Sequence, residues 1–235
     1  MAYIYEHIRT QGFEPLHFEE HYARLDALSR KFFLAPVGVA PEVLKRAVAQ
    51  ALQQGGYSPR TANAVYVRCS SDSEVSVEAV ELLYNNFSLR ALRPQGYLCR
   101  VSGDLIVENS SAKEALLELN RAMAQISDEG VAIWADEQGE VLAIDGASVV
   151  AVFEDEIRFS RRGEGVEFDL AYTTSAKIKR PISKGAIMVD ELRDAKELLC
   201  IDYRGVTALH SFDSHRYMDI MAEKIAVRVA EAEQQ

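Results

Sequence analysis

Apolar residues recur along this chain at two spacings, and the switch from one to the other marks its elements. "AYIYEHIRT" is rich in β-branched and aromatic residues and predicts an opening strand. In "HYARLDALSRKFF" the spacing becomes helical, with Tyr22, Leu25, Leu28 and Phe32 on one face. "PEVLKRAVAQALQQGG" is a punctuated helix: Pro41 suits its first turn, Val43, Leu44, Ala47, Val48, Ala51 and Leu52 form its apolar face, and Gly55 ends it. "NAVYVRCS", "EAVELLYNNF" and "GYLCRVS" return to strand character. Residues 1–105 thus read as a small α/β domain.

A helix over residues 111–126 opens a larger α/β domain, residues 112–235. After it the pattern gives a strand, a turn at Glu137–Gly139, two strands, a turn at Glu154–Asp155 and another strand. A helix follows at 166–177. "AIMVDELRDAKELLCIDYRGVTALHSF" predicts a strand, a short helical turn and two strands. The last helix, 214–232, turns Tyr217, Ile220, Met221, Lys224, Ile225 and Val229 inward, with Lys224 snorkelling. There is no internal repeat and no low-complexity linker. The pattern is that of a two-part α/β (α+β) protein of enzyme size.

Composition narrows the function classes. The 235 residues are 48% hydrophobic, enough for one large or two modest cores. The formal net charge of −10, without a basic tract, argues against nucleic acid or an anionic membrane as partner. Cys69, Cys99 and Cys200 are far apart, odd in number and in apolar surroundings, which predicts buried free thiols in a reducing cytosol. With no signal-like start and no apolar stretch of spanning length, the expectation is a soluble cytoplasmic protein.

Several chemical motifs can be weighed and set aside. "HFEEH", residues 17–21, matches H-x-x-E-H, but a helix starting after His17 puts the two rings on different faces, so structural histidines are the better reading. In "HSFDSH", residues 210–215, the histidines bracket a turn, with Asp213 or Ser214 a plausible helix cap. Gly163 and Gly165 precede a helix and could turn backbone N–H groups toward an anion, a common arrangement without any ligand. The stretch that does not resolve this way is "NSSAKEALLELNRAM". Ser111 and Glu114 form an S-x-x-E capping box, and Lys113 sits between them at the positive end of the helix dipole. It is either a solvated first-turn lysine or an amine held ready to lose its proton.

The ordered set of motifs resembles the class IV (fold type IV) pyridoxal-phosphate enzymes, which include branched-chain and D-amino acid aminotransferases and 4-amino-4-deoxychorismate lyase. "YEHIRTQGFEPLHFEEHYARLDAL" is similar to their entrance, with the H-x-x-R-L motif at His21-Tyr22-Ala23-Arg24-Leu25. Lys113, then "GVAIWADEQGEV" and "ASVVAVFEDEIRFS", follow the family's layout of a lysine before a helix, a strand, a D-x-x-G turn and a strand. "VDELRDAKELLCIDYRGVTAL" resembles its late segment. The resemblance covers nearly the whole chain and implies a two-domain fold, usually a homodimer, acting on an amino acid or keto acid. It implies that Lys113 holds pyridoxal 5'-phosphate and moves the substrate's α-proton. Arg24 would bind the phosphate, helped by Gly165, Val166, Arg204 and Thr207. Tyr5, Arg9 and Arg68, on small-domain strands, are further candidates for contact with a substrate carboxylate, although a core or surface role suits each.

The sequence also departs from the family at the positions that matter for the cofactor. The Glu that pairs with the pyridine nitrogen is replaced by Ala143. Asp145, two residues on, would face the same way on a regular strand and could stand in for that acid at the cofactor, but Gly146 after it suggests a turn. The G-[IV]-T-R phosphate turn becomes Gly165-Val166-Glu167-Phe168, and Asp202 stands where small hydroxyl residues are usual. Two readings follow: a divergent pyridoxal-phosphate aminotransferase or lyase, or a persisting fold whose cofactor site has decayed into a binding or oligomerisation module.

Overall fold

The structure is a computed structural model that describes residues 2–84, 86–102, 108–123, 125–127 and 129–234. Asn85 and Ala124, which fall in an expected strand and helix, lie outside the described residues. The chain divides into two compact units, Met1–Asn86 with Glu108–Ala112, and Phe87–Val107 with Lys113–Gln235.

The first unit is a four-stranded antiparallel sheet carrying two helices. Its strands are β1 (Tyr3–Gln11), β2 (Glu14–Pro15), β3 (Ala62–Ser70) and β4 (Val75–Val80), in the order β2-β1-β3-β4. The helices are α1 (Phe18–Phe33) and α2 (Pro41–Gln54). Leu25 and Leu28 of α1 and Leu44, Val48 and Leu52 of α2 recur every three or four residues, so each helix presents one stripe to Ile4, Ile8, Val65 and Val67 of the sheet. Phe32, expected in the α1 stripe, is 39% exposed. The strand expected over residues 78–87 begins earlier and stops at Val80, because its pairing with β3 ends at Ala64↔Val80.

The second unit contains two five-stranded sheets. One runs β10-β9-β8-β11-β12, the other β14-β13-β5-β6-β7. Their strands are β5 (Gln95–Arg100), β6 (Gly130–Ala135), β7 (Val141–Ile144), β8 (Ser148–Val152), β9 (Ile157–Ser160), β10 (Ile182–Gly185), β11 (Glu197–Asp202), β12 (Gly205–Ala208), β13 (Ser211–Phe212) and β14 (His215–Arg216). Between the sheets lies an apolar layer that includes Ile133, Val141, Val149, Ala151, Leu198 and Leu209. Outside the first sheet, α4 (Val166–Ser175) and α5 (Ile220–Glu233) cover Val150, Phe159 and Leu199. Outside the second, α3 (Ser111–Met123) packs Leu116 and Leu117 against Cys99, Trp134 and Ala143. The layers thus run helix, sheet, sheet, helices.

Three sequence expectations change here. The segment 87–102, read as part of the small domain, belongs to the second unit because β5 pairs in parallel with β6, Gln95↔Gly130 through Arg100↔Ala135. The last helix starts at Ile220, not 214, because Ser211–Phe212 and His215–Arg216 form a hairpin with Asp213 in its turn at φ 50°. Its cap comes from a distant strand: buried Glu197 accepts hydrogen bonds from the N–H groups of Met221 (2.8 and 2.9 Å) and Ala222 (3.0 Å). Within α5, Ile225 and Val229 are buried as expected, whereas Ile220 is 53% exposed and Lys224 is exposed. The third concerns α3. Its helix begins at Ser111 itself, so Ser111 is the first helical residue and not the cap, and its Oγ accepts the Tyr3 N–H at 3.3 Å.

Cys69, Cys99 and Cys200 are buried free thiols. No helix among the described residues is long and apolar enough to cross a membrane.

Candidate functional site

Lys113 is the third residue of α3 and half-buried. Its stem lies against the turn that carries the chain from β7 of one sheet to β8 of the other. A two-residue loop, Asp145-Gly146, joins these strands, with mutual backbone bonds between Ile144 and Ala147 at 3.0 and 2.9 Å. Both loop residues have positive φ, 46° and 77°, the conformation for which Asp-Gly is preferred. A Cβ on Gly146 would stand 3.1 Å from Lys113 Cε and 3.9 Å from Nζ. The turn favours glycine at this position, and a Cβ there would also press on the Lys113 stem.

Asp145 is a turn residue, not a strand residue facing the same way as Ala143. Its Oδ1 accepts the Ala132 N–H at 2.8 Å, and its Oδ2 lies 2.5 Å from Arg121 Nη1. The two oxygens tie the turn to β6 and α3. Ala143 is 4% exposed, pairs with Trp134 and packs in the apolar layer under α3. No acid occupies its position.

The Gly163–Gly165 segment enters α4. Gly165 precedes the helix with φ 129°, and Val166 and Glu167 are its first residues, both 7% exposed. The approach is fixed by Ser148, whose Oγ donates to the Glu164 carbonyl (2.6 Å) and accepts the Glu164 N–H (2.8 Å). A buried carboxylate in the first turn suits the helix dipole but opposes a second anion.

Arg204 lies in the Tyr203-Arg204 turn between β11 and β12. It is already matched with an acid: Asp202 Oδ1 accepts the Arg204 N–H at 2.8 Å, and Oδ2 accepts from Arg204 Nε at 2.9 Å and from Nη2. Burial pushes the Asp202 carboxyl up, but the Arg204 guanidinium, these hydrogen bonds and the more distant Arg90 pull it further down, below the usual carboxylate range. Arg90 Nη1 donates to Thr207 Oγ1 at 3.1 Å. Cys200, on the same strand, is pushed up to about 12, chiefly by burial. Sequence reasoning did not single out Arg90.

In the first unit, Arg24 projects from α1 to Glu6 on β1, Nε to Oε1 at 3.4 Å. The other Glu6 oxygen lies 3.1 Å from His21 Nδ1, so His21 of the "HFEEH" motif is tied to a carboxylate, and His17 is the left-handed residue before α1. Arg68 pairs with Glu78 and lies 5.0 Å over the Tyr66 ring, while Tyr5 and Arg9 are 7% and 2% exposed.

Solved structures similar to the whole chain carry more than one activity assignment. One, assigned as a branched-chain amino acid aminotransferase from Thermotoga maritima, has a TM-score of 0.80 at 16% identity and covers 100% of this chain and 86% of its own. Another, assigned as a 4-amino-4-deoxychorismate lyase from Legionella pneumophila, has a TM-score of 0.75 at 14% identity, covering 98% and 91%. A hypothetical aminotransferase from Mycobacterium tuberculosis, in a form with α-ketoglutarate and PMP bound, has a TM-score of 0.75 at 16% identity, covering 98% and 88%. No family model and no curated protein matches the sequence. At these identities the likeness is one of fold: the chain has the mixed α/β fold of class IV aminotransferases and aminodeoxychorismate lyases.

Proposed function

We propose that this chain retains the fold without the cofactor chemistry, and serves as a binding or oligomerisation module. It would act as a homodimer in a reducing compartment that suits its three buried thiols. The observation that carries this reading is Ala143. Pyridoxal phosphate works as an electron sink when its ring nitrogen is protonated beside an acid. At the position the resemblance assigns to that acid, an alanine packs among Cys99, Trp134 and Leu116. Asp145, the nearest substitute in sequence, has both carboxylate oxygens engaged, one by Ala132 of β6 and one by Arg121 of α3. Glu167 and Asp202 add carboxylates at the two segments the resemblance assigns to the phosphate. The residues present do not fit the cofactor.

One observation favours a second reading, a pyridoxal-phosphate aminotransferase or lyase for an amino acid or keto acid. The Lys113 stem lies against the Asp145-Gly146 turn, close enough for a Cβ at Gly146 to stand 3.1 Å from its Cε, and is half-buried there instead of extended into solvent. A titration with pyridoxal phosphate separates the two. The first reading expects no visible absorbance beyond that of the free cofactor, and the same result in Lys113→Ala. Colour that appears at one equivalent and is lost in Lys113→Ala would put the second reading first.

A further inference from the structure

The turn at Asp202–Gly205 is built like an anion seat that the chain has filled for itself. It offers a backbone N–H and a guanidinium from one residue, Arg204, aimed at one point. The carboxylate of Asp202 stands at that point and takes both. Arg90, held by Thr207 and by its own N–H to the Val206 carbonyl (2.8 Å), adds a second positive charge to the same end of the sheet. The turn ends on a position that only glycine can take: Gly205 has φ 123°, and a Cβ there would lie 2.4 Å from the Ser88 carbonyl oxygen. The turn places the Arg204 N–H, while the Arg204 guanidinium is a side chain oriented by its pairing with Asp202. The Asp202 side chain is 19% exposed and that of Arg204 42%, so an external oxyanion could reach the guanidinium if the carboxylate were gone.

We infer that Asp202 is a tethered anion that closes an oxyanion site formed by Arg204 and Arg90, and that this site takes a phosphate group once Asp202 is made neutral. The inference deepens the proposed loss of cofactor chemistry and rests on that reading for its biological sense: the acid excludes phosphate-bearing ligands from a seat whose donors persist. Asp202→Asn is the suitable change. The amide keeps an oxygen to accept the Arg204 N–H and so keeps the turn, while removing the charge.

The test is binding of inorganic phosphate, by calorimetry at constant ionic strength with chloride as the balancing anion. Inorganic phosphate cannot form an imine, so the result is independent of whether Lys113 carries a cofactor. Asp202→Asn, and Asp202→Ser as a second variant with a short acceptor, should bind phosphate at least tenfold more tightly than the unmodified protein. Adding Arg204→Gln to either should abolish the gain. Unchanged phosphate affinity in the folded variants, or a gain that survives Arg204→Gln, would overturn the inference. If the unmodified protein also takes up pyridoxal phosphate at Lys113, the functional reading fails while the phosphate comparison still decides the role of Asp202.

Discussion

Arg24 and Arg204 were both expected to hold a phosphate, and each already faces a carboxylate, but the two pairs are built differently. Glu6, the partner of Arg24, is 3% exposed, comes from a different element, and also meets His21 and the Asn109 side chain (3.4 Å). Asp202 is two residues from Arg204 in a single turn. The first pair is a buried tie between a strand and a helix, and the second is a local closure at the end of a hairpin. The same residue types, acid and arginine, thus serve packing in one unit and ligand exclusion in the other.

Substitutions should pull these roles apart. Glu6→Ala leaves His21 and Arg24 facing a buried gap and should have the largest effect, a loss on the order of 3 kcal/mol in denaturant-measured stability. Gly146→Ala combines a positive φ with a 3.1 Å approach to Lys113 Cε and should cost about 1–3 kcal/mol. Asp202→Ala, at a local pair whose arginine is exposed to solvent, should cost within about 1 kcal/mol. A loss for Asp202→Ala matching that for Glu6→Ala would erase the distinction.

The smallest effect is in the acid limb. The Asp202 carboxyl is depressed in the folded protein, so its contribution is present above the ordinary carboxylate range and is lost as pH falls through its lower folded value. The stability difference between the unmodified protein and Asp202→Asn should therefore be constant near neutrality and shrink toward zero in strong acid. A difference that grows in acid would contradict the assignment.

The same contrast explains what could be read in the sequence. The Asp202-Tyr203-Arg204-Gly205 hairpin and the Asp145-Gly146 turn are local, so their residue types announce them. The stripes of α1 and α2, the layout of strands around Lys113 and the buried thiols were legible for the same reason. The partners set by tertiary structure were not. Nothing near Arg24 points to Glu6 across the turn into α1. Nothing near Ile220 points to Glu197 as the acceptor for α5, and the capping residues Asp213 and Ser214 make the second half of the short hairpin, Ser214–Arg216, read as the start of a helix. The strand Gln95–Arg100 reads alike in either unit, and only its pairing with Gly130–Ala135 assigns it to the second.

If the residues around Lys113 do not support the cofactor, pyridoxal phosphate should not single out that lysine. Incubation with one equivalent of pyridoxal phosphate, borohydride reduction and peptide mass mapping tests it most directly. Labelling spread over exposed lysines, with Lys113 no more modified than the others, is the predicted result. A stoichiometric adduct confined to Lys113 would contradict the account.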